Sequence, residues 1–238
     1  MNQKEFEKKF VNKIIHGDCL EFMKDWPDNC VDLVLTDPPY GIDGGRGGTS
    51  KLRGKGNYDG RFSDTRQYIE TVVMPALSMW RQKADGVVLT CGCRNLDIYP
   101  QADSFGCFYQ PAGSGMQHWG QVDSQPILYY GRYYRAGKWP RKCSYIMTGR
   151  PSCTDHPCSK PLDVWARLLD EICPPNGIVL DPMCGSGTTC VAAKMLGYNY
   201  IGIDISKDYC EISRMRLKGL KTGISVTQQK QGFKGLLG

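Results

Sequence analysis

Four consecutive residues in the first fifth of the chain form a group with recognisable chemistry. Asp37, Pro38, Pro39 and Tyr40 directly follow an apolar run at 31–36, a pattern typical of a strand buried on both faces of a parallel sheet. Proline fixes φ and lacks an N–H, so this segment would be stiff and would present acceptors only, the Asp37 carboxylate and the Pro38 carbonyl. Such a pair suits an amino group with two hydrogens to donate, and the Tyr40 ring offers a face on which a base could stack. An ordinary Asp-Pro turn is the alternative, and the position after a buried strand argues against it.

A second group lies where an apolar strand, predicted at 178–180, turns into a helix. It consists of Asp181, Pro182, Met183, Cys184, Gly185, Ser186, Gly187, Thr188 and Thr189. Glycines in such a turn let a ligand approach the backbone, and the following helix offers free N–H groups and the positive end of its dipole. Asp204 ends the next predicted strand, about twenty residues further on, where an acid is placed to hold two ribose hydroxyls. Together these features predict a site for a cofactor that contains a nucleoside.

The same residues discriminate between cofactors. The dinucleotide pattern Gly-x-Gly-x-x-Gly requires a third glycine where this chain has Cys190, and the Gly-Lys-Ser/Thr of a P-loop is absent. Asp181 would repel a pyrophosphate but could bind an ammonium group. S-adenosylmethionine carries an ammonium, a sulfonium and a ribose, so it suits both Asp181 and Asp204. We therefore expect S-adenosylmethionine as the cofactor.

The elements that must position these groups alternate between short apolar runs and helical patterns. The runs predict strands at 13–16, 31–36, 86–90, 107–110, 126–130, 178–180 and 200–203. Apolar residues recur at helical spacing over 69–80, and Pro75 within them should kink the helix. Pro161 is expected as the first residue of a second helix, and Ser206 as the cap of a last helix that ends near Leu217. This alternation predicts an α/β fold.

Two basic segments break the alternation. The glycine-rich segment 41–64 is expected to be a mobile loop, since it has few apolar residues to bury. The segment 131–152 interleaves cations with tyrosine and tryptophan, and its residues 131–150 include no acid. A solvated face is the ordinary interpretation of a charge run, but the aromatic residues and the absence of acids favour a nucleic-acid surface. The residues expected to contact DNA are Arg46, Lys51, Arg53, Arg132, Arg135, Lys138, Arg141 and Lys142.

Composition restricts the class of protein. The chain has 238 residues, 41% of them hydrophobic, and a net charge of +6, which suits one folded domain (1–238) with a nucleic-acid partner. No apolar run reaches the length of about eighteen residues that predicts a membrane span, and the charged segment 1–9 lacks the apolar stretch of a secretion signal. We therefore expect a cytoplasmic protein.

Twelve cysteines raise the question of a metal site. Cys91 with Cys93, and Cys153 with His156 and Cys158, are the arrangements that could ligate zinc, but neither has the paired spacing of the common zinc modules. Several other cysteines lie in apolar runs, where a thiol behaves as a small hydrophobic group. We expect reduced, structural cysteines and no metal.

Four motifs of the chain resemble those of the DNA amino-methyltransferases. Asp-Pro-Pro-Tyr at 37–40 is similar to the catalytic motif of that family, and the turn at 181–189 to its cofactor motif. His-Gly-Asp-Cys at 16–19 resembles the motif whose acid lies near the cofactor adenine. His-Pro-Cys-Ser-Lys-Pro at 156–161 resembles the motif near the methionine end of the cofactor. Because the catalytic motif precedes the cofactor motif, the resemblance is to the permuted, beta-type members of the family.

This resemblance implies a fold and a set of site residues. The fold would be a Rossmann-like α/β methyltransferase fold, circularly permuted, with about seven strands and a small target-recognition insertion at 131–152. The strand at 13–16 would lie beside the one at 200–203 and so join the two ends of the chain. Catalysis is assigned to Asp37, Pro38, Pro39 and Tyr40. Cofactor binding is assigned to Asp18, Cys19, Lys160, Asp181, Pro182, Cys184, Gly185, Ser186, Gly187, Thr188 and Asp204.

The implied reaction is direct methyl transfer from S-adenosylmethionine to an exocyclic amino group of a base flipped out of double-stranded DNA. Adenine N6 is favoured over cytosine N4, because an acid at the position of Asp37 is commoner among the adenine enzymes of the family and serine among the cytosine enzymes. An RNA amino-methyltransferase, a nicotinamide oxidoreductase and a non-catalytic DNA-binding relative are the alternatives. The expected partner is double-stranded DNA, in the cytoplasm of a prokaryotic cell or a phage-infected host, and a homodimer is an assembly that the chain could form.

Overall fold

The computed structural model describes residues 1–41, 64–111, 113, 115–117, 120–131, 142–147 and 160–222. Most of the segment predicted as a mobile loop, 41–64, lies outside the described residues, and so does most of the segment predicted for target recognition, 131–152. The elements that carry the catalytic and cofactor motifs are described, except for the start of the motif at 156–161.

Strands and helices alternate along the chain, as the pattern of apolar runs predicts. In chain order the elements are α1 (Gln3–Phe10), β1 (Lys13–His16), α2 (Cys19–Met23), β2 (Val31–Thr36), α3 (Arg66–Tyr68), a π-helical turn (Ile69–Val73), α4 (Met74–Lys83), β3 (Ala84–Thr90), a 3-10 helix (Cys93–Ile98), β4 (Ser104–Tyr109), β5 (Gly115–Gln117), β6 (Gly120–Val122), β7 (Ser124–Gly131), β8 (Tyr145–Ile146), α5 (Leu162–Ile172), β9 (Ile178–Asp181), α6 (Thr188–Met195), β10 (Asn199–Asp204) and α7 (Lys207–Thr222). All seven predicted strands are present, and the α/β class is confirmed.

Eight of the described strands form one sheet in the order β1-β10-β9-β2-β3-β7-β4-β8. Neighbouring strands from β1 to β3 are parallel, whereas β7 is antiparallel to both β3 and β4. The predicted pairing of the two ends of the chain is confirmed, since Ile14 of β1 is aligned with Gly202 of β10. The sheet has one strand more than the seven expected. That strand, β8, is two residues long, too short to produce an apolar run, and β5 and β6 form a separate hairpin.

Both faces of the central strand β2 are covered. Val34 packs into an apolar core with the N-terminal helices, where the Phe6 and Trp26 rings meet edge to face at 4.9 Å. Leu33 and Leu35 pack into a second core on the opposite face, together with residues of α5 and α6. Burial on both faces explains why the run at 31–36 shows no alternation of polar and apolar residues.

The helix predicted over 69–80 is present in a modified form. The α-helix α4 begins only at Met74, and the turn before it is π-helical, with the Met74 N–H donating to the Ile69 carbonyl five residues earlier. Pro75 has no N–H for the carbonyl of Thr71, so the regular hydrogen-bond ladder is interrupted at this point. The predicted kink is therefore a wider helical turn ahead of the proline.

The two later helices differ from their predictions at one end each. Pro161 lies one residue before α5 in an extended conformation, and its carbonyl accepts the Trp165 N–H at 3.1 Å. Proline therefore occupies the capping position instead of the first helical one. Ser206 caps α7 as predicted, since its hydroxyl accepts the Tyr209 N–H at 3.4 Å, but α7 continues beyond Leu217 to Thr222.

Four neighbouring parallel strands bring an aspartate to the same edge of the sheet. Asp204 and Asp181 are the last residues of β10 and β9, Asp37 directly follows β2, and Asp18 follows β1 after one glycine. Because β1, β10, β9 and β2 are consecutive in the sheet, their carboxyl ends are adjacent. Ligands of open α/β sheets bind at this edge.

Gly202 of β10 packs closely against β1 and α6, so a larger residue at this position should destabilise the fold. A Cβ added there would lie 2.6 Å from Ile14 Cδ1 and 2.8 Å from Cys190 Sγ, closer than packed atoms approach. We predict that Gly202→Ala lowers the free energy of unfolding by about 1–3 kcal/mol, the usual cost of overpacking, as measured by chemical denaturation. Adding Cys190→Ala removes one clashing atom, so the double variant should lose less stability than the sum of the two single variants. Strict additivity would show that this contact is not the cause.

Candidate active site

A cavity lies where these four aspartates meet. Every residue predicted to act in catalysis or cofactor binding lines it, except Gly187. Gly187 instead forms the turn ahead of α6 with a φ of +77°, and a Cβ there would lie 2.7 Å from Ser213 Oγ. The tertiary structure therefore joins motifs that are far apart in the sequence, and Gly187 serves the shape of the loop.

Asp37 is surrounded by three donors. Its Oδ1 accepts hydrogen bonds from the hydroxyls of Tyr40 and Thr90, and its Oδ2 accepts one from Lys160 Nζ at 2.5 Å. The Asp37 side chain is 23% exposed, so it still faces the cavity. Burial, and then the neighbouring Asp37 carboxylate, hold the pKa of Tyr40 well above its usual value. The phenol therefore keeps its proton and donates a hydrogen bond to Asp37.

Lys160 contacts the segment that carries the predicted catalytic motif. The resemblance assigns it to the methionine end of the cofactor, whereas its Nζ contacts both Asp37 and the Tyr40 hydroxyl, the latter at 3.1 Å. Lys160 also lines the cavity, as residues of the loop at 181–189 do. The cofactor assignment of Lys160 stays a prediction.

Two residues that belong to none of the four motifs hold the segment Asp37–Tyr40 in place. Thr90, the last residue of β3, holds Asp37 from the neighbouring strand. Asn95 is 4% exposed and donates from Nδ2 to the Tyr40 carbonyl at 2.6 Å and to the Gly41 carbonyl at 3.3 Å. Gly41 has a φ of +67°, and its N–H donates to Asp64 Oδ1 at 2.6 Å. An isolated threonine or asparagine has no sequence pattern that could have revealed these roles.

Asp181 ties the cofactor loop to the catalytic strand. Its Oδ1 accepts from the Thr36 hydroxyl at 2.7 Å and from the Met183 N–H at 3.2 Å, and its Oδ2 accepts from the Thr189 hydroxyl at 2.6 Å. Three of roughly four acceptor positions of a carboxylate are thereby used. Burial raises the pKa of Asp181 to about 7, although these hydrogen bonds act in the opposite direction. Asp181 retains one acceptor position for a ligand cation.

Asp204 and Asp18 hold backbone turns in the part of the cavity where the adenosine of the cofactor is predicted to bind. Asp204 Oδ2 accepts the Gly185 N–H at 2.7 Å and Oδ1 accepts the Ser206 N–H at 2.8 Å. Burial raises the pKa of Asp204, and these two hydrogen bonds partly offset the effect. Asp18 caps α2 through a 2.8 Å bond from the Leu20 N–H. Both carboxylates line the cavity.

Helix α7 supports the cofactor loop from behind. Ser213 Oγ donates to the Gly185 carbonyl at 2.8 Å, and an Arg216 guanidinium N–H donates to the Ser186 carbonyl at 2.7 Å. The loop is thus held in shape by the protein alone, with its glycines in left-handed conformations. Sequence reasoning did not assign Ser213 or Arg216, because a polar residue on an amphipathic helix is ordinarily a solvated one.

The chemistry of the cavity fits a cofactor with positive charges. Its lining includes five aspartates, Asp18, Asp37, Asp64, Asp181 and Asp204, and one lysine. The cysteines that line it, Cys19 and Cys184, are buried, and burial raises the pKa of both thiols, to about 12 for Cys19. They therefore stay neutral and present a small apolar surface. This donor and acceptor set suits the ammonium, sulfonium and ribose of S-adenosylmethionine.

The predicted DNA contacts lie almost entirely outside the described residues; only Lys142 is described, and it is exposed. Its carbonyl accepts the Tyr145 hydroxyl at 2.9 Å. Within the described ranges, no group of three or more His, Cys, Asp or Glu side chains is arranged to hold a metal ion. Cys91 is buried and Cys93 exposed, whereas Cys153, His156 and Cys158 lie outside those ranges. No helix of the described residues is long and apolar enough to cross a membrane.

The raised pKa of Asp181 makes stability depend on pH. The folded state keeps a proton on Asp181 up to about pH 7, whereas the unfolded chain loses it near pH 4. The folded state therefore binds more protons between these values, and this group lowers stability as pH rises from about 4 to 7. We predict that the melting temperature of Asp181→Asn, relative to that of the wild type, is higher at pH 8 than at pH 5, because the cost of ionising the buried carboxyl is present only at the higher pH. Thermal denaturation measures both proteins at both pH values. Asp25 is exposed, and Asp25→Asn should change the melting temperature by the same amount at both pH values. An equal change at both pH values in Asp181→Asn would contradict the raised pKa of Asp181.

Comparison with known proteins adds to this geometry. Residues 119–215 match a family described as DNA methylase. The chain is 30% identical to an Escherichia coli K12 protein named as methylase YubD, over 89% of this chain and 92% of that protein. Among solved structures, it resembles the M1.HpyAVI–SAM complex, with a TM-score of 0.63 and 23% identity over 86% of this chain and 98% of that one. It also resembles PvuII DNA methyltransferase, described as cytosine-N4-specific, with a TM-score of 0.65 and 15% identity over 92% and 89% of the two chains.

These likenesses agree with the motif order and with the pairing of β1 and β10, which are the marks of a permuted methyltransferase sheet. The identity with the Escherichia coli protein extends over nearly the full length of both chains. The chain belongs to the family of N6-adenine and N4-cytosine DNA amino-methyltransferases and is an S-adenosylmethionine-dependent DNA methyltransferase.

Proposed function

We propose that this enzyme methylates the N6 amino group of adenine in double-stranded DNA, after the base has been flipped out of the helix. The observation that carries the proposal is the position of Asp37 and Pro38. Both line the cavity that the cofactor loop also lines, so an amino group bound to them would lie beside the cofactor. The distance between reacting groups is thereby set by two adjacent parallel strands, β2 and β9.

The proposed chemistry depends on two acceptors. The Asp37 carboxylate and the Pro38 carbonyl accept the two N–H bonds of the amino group, which localises its lone pair and makes it a better nucleophile. These hydrogen bonds strengthen as positive charge develops on nitrogen, so they stabilise the transition state more than the bound base. S-adenosylmethionine supplies the methyl group from its sulfonium. S-adenosylhomocysteine would leave when the methyl group is transferred, and Asp37 would accept the proton that the amino group loses and pass it to solvent.

The remaining assignments of cavity residues are proposals as well. Asp204 would accept from the ribose hydroxyls, Asp181 would accept from the ammonium with its remaining acceptor position, and Asp18 and Cys19 would flank the adenine. The loop Gly185–Thr188 would approach the cofactor with its backbone, since its preformed shape leaves room for close contact. Support comes from the shared lining of one cavity and from its excess of carboxylates.

The proposed DNA surface lies in the basic segments around 46–53 and 132–142. The whole chain has a net charge of +6 although the active-site cavity is acidic, so the excess of positive charge lies outside the cavity. DNA binding is driven largely by phosphate neutralisation, for which arginine and lysine are suited. The exposure of Lys142 supports this location. The homodimer and the cytoplasmic location stay predictions.

Cytosine N4 is the alternative target, because the PvuII enzyme that shares the fold is described as cytosine-N4-specific. The two amino groups are chemically alike, and the same acceptor pair would serve both. The choice of adenine depends on Asp37, since the family resemblance associates an acid at this position with adenine enzymes. A carboxylate is also the stronger acceptor of the two residue types.

A first prediction separates catalysis from cofactor binding. Asp37→Ala should reduce methyl transfer by at least about a hundredfold while leaving cofactor affinity close to that of the wild type. Asp204→Ala should weaken cofactor binding by about 10- to 150-fold, since a charged hydrogen bond to a buried group is lost. Isothermal titration calorimetry with S-adenosylhomocysteine and a tritium-transfer assay measure the two properties. Exposed Asp163→Ala is the matched control, expected to change neither. Normal cofactor affinity in Asp204→Ala would show that the sites are wrongly assigned.

A second prediction concerns the methylated atom. Duplex DNA from cells that lack DNA methylation, treated with the enzyme and digested to nucleosides, should contain N6-methyldeoxyadenosine by mass spectrometry. Asp37→Ala-treated DNA is the background sample. N4-methyldeoxycytidine as the dominant product would transfer the assignment to cytosine and leave the fold and the cofactor unchanged.

A further inference from the structure

The two oxygens of the Asp37 carboxylate are held unequally. Oδ1 accepts hydrogen bonds from the hydroxyls of Thr90 and Tyr40, whereas Oδ2 accepts one from Lys160 Nζ at 2.5 Å. A carboxylate has about four acceptor positions, two on each oxygen. Both positions of Oδ1 are therefore used, and Oδ2 retains one.

The remaining position on Oδ2 is the one that a target amino group can use. The base needs a single acceptor from Asp37, because the Pro38 carbonyl takes the other N–H. Lys160 binds the same oxygen and also donates to the Tyr40 hydroxyl at 3.1 Å, so it occupies one lone pair of Oδ2 and leaves the other to the base. Both donors can be bound to Oδ2 at the same time.

Which oxygen is presented depends on rotation of the carboxylate about its Cβ–Cγ bond. This torsion is broad and roughly two-fold in aspartate, so the bond itself does not fix the plane of the two oxygens. The two hydroxyls on Oδ1 fix it instead. Tyr40 belongs to the same short segment as Asp37, whereas Thr90 belongs to the neighbouring strand and holds the carboxylate from outside that segment.

Thr90 is a rigid anchor because the sheet holds its backbone on both sides. Parallel pairing of β2 with β3 aligns Thr36 with Leu89, so the residues that follow them, Asp37 and Thr90, lie side by side at the carboxyl edge of the sheet. On its other side Thr90 is paired with β7. It is 1% exposed, and its hydroxyl also accepts from the Tyr40 hydroxyl at 3.1 Å. One buried hydroxyl thus connects the carboxylate with the ring on which the base would stack.

We propose that Thr90 is a positioning residue that fixes the plane of the Asp37 carboxylate, so that Oδ2 is presented to the target amino group. Acceptors that are oriented before the reaction need no rearrangement as charge develops on the amino nitrogen, and this is where electrostatic catalysis gains most. Loss of the Thr90 hydroxyl should therefore slow methyl transfer without weakening the binding of either substrate. The inference rests on the proposed function of Asp37.

The test removes the hydroxyl and keeps the shape of the side chain. In Thr90→Val, the single-turnover rate of tritium transfer to unmethylated duplex DNA should fall about tenfold or more, the loss typical of a hydrogen bond to a charged group. Affinity for S-adenosylhomocysteine, by calorimetry, and for the same DNA, by fluorescence anisotropy, should be unchanged. Thr90→Ser keeps the hydroxyl and should restore most of the rate. Thr71→Val is the matched control, since Thr71 is exposed and its hydroxyl donates only to the helix carbonyl of Gln67.

Three results would overturn the positioning role. They are a wild-type rate in Thr90→Val, an equal loss of rate in Thr90→Ser, and a loss of cofactor affinity in Thr90→Val that accounts for its lower rate. If Thr90→Val has a melting temperature far below that of the wild type, Thr90→Ala takes its place in the comparison with Thr90→Ser. The proposed function is tested separately by Asp37→Ala: an inactive Asp37→Ala beside a fully active Thr90→Val removes only the role of Thr90, whereas an active Asp37→Ala removes both.

Discussion

The active site depends on the hydrogen bonds that the buried Asp181 carboxylate accepts. It is 4% exposed and accepts hydrogen bonds from Thr36, at the end of β2, and from Thr189, at the start of α6, the helix that follows the adjacent strand β9. Burying a carboxylate is costly, and three hydrogen bonds offset much of that cost. Because Thr36 immediately precedes Asp37, the same carboxylate sets the distance between the catalytic segment and the cofactor loop.

The order of strands makes this link possible. β9 lies between β10 and β2, so the loop after β9 can contact Asp204 on one side and the end of β2 on the other. The permuted chain order does not disturb the site, since β1 pairs with β10 and the first and last strands of the chain become neighbours. The structure of a sheet is set by which strands are adjacent in space. A different order of the strands along the chain gives the same sheet if each strand keeps the same neighbours.

The active-site cavity is acidic although the chain as a whole is basic. Five aspartates line the cavity of a chain whose net charge is +6. The pKa values of Asp181 and Asp204 are raised mainly because burial removes the water that stabilises an ionised carboxylate. A ligand with two positive groups would favour the ionised forms. Lys160, the single lysine or arginine among the described lining residues, places a positive charge beside Asp37.

Several features of this protein were determined by local sequence. Asp37–Tyr40 and Asp181–Thr189 each form one continuous turn after an apolar strand, so their residue types and order indicate their chemistry without knowledge of distant contacts. The strands themselves could be predicted because burial on two faces requires uninterrupted apolar runs, as at 31–36. Local sequence did not determine the two-residue strand β8, which exists only through its pairing with β4. Pro75 indicated that the helix is interrupted, but not that the turn before it is π-helical.

Tertiary structure alone decided which side chains surround the catalytic carboxylate. Thr90 reaches Asp37 from the adjacent strand, 53 residues away, and Lys160 reaches it from 123 residues away. Asn95 holds the carbonyls of the catalytic turn from a separate 3-10 helix. Thr90 and Asn95 are ordinary polar residues with no local pattern around them that relates to these contacts, and the motif around Lys160 predicted a cofactor contact and not the one with Asp37. Their partners are set by the packing of the sheet, because a hydrogen bond requires a distance of about 3 Å and the sequence contains no information on distance until the strands are aligned.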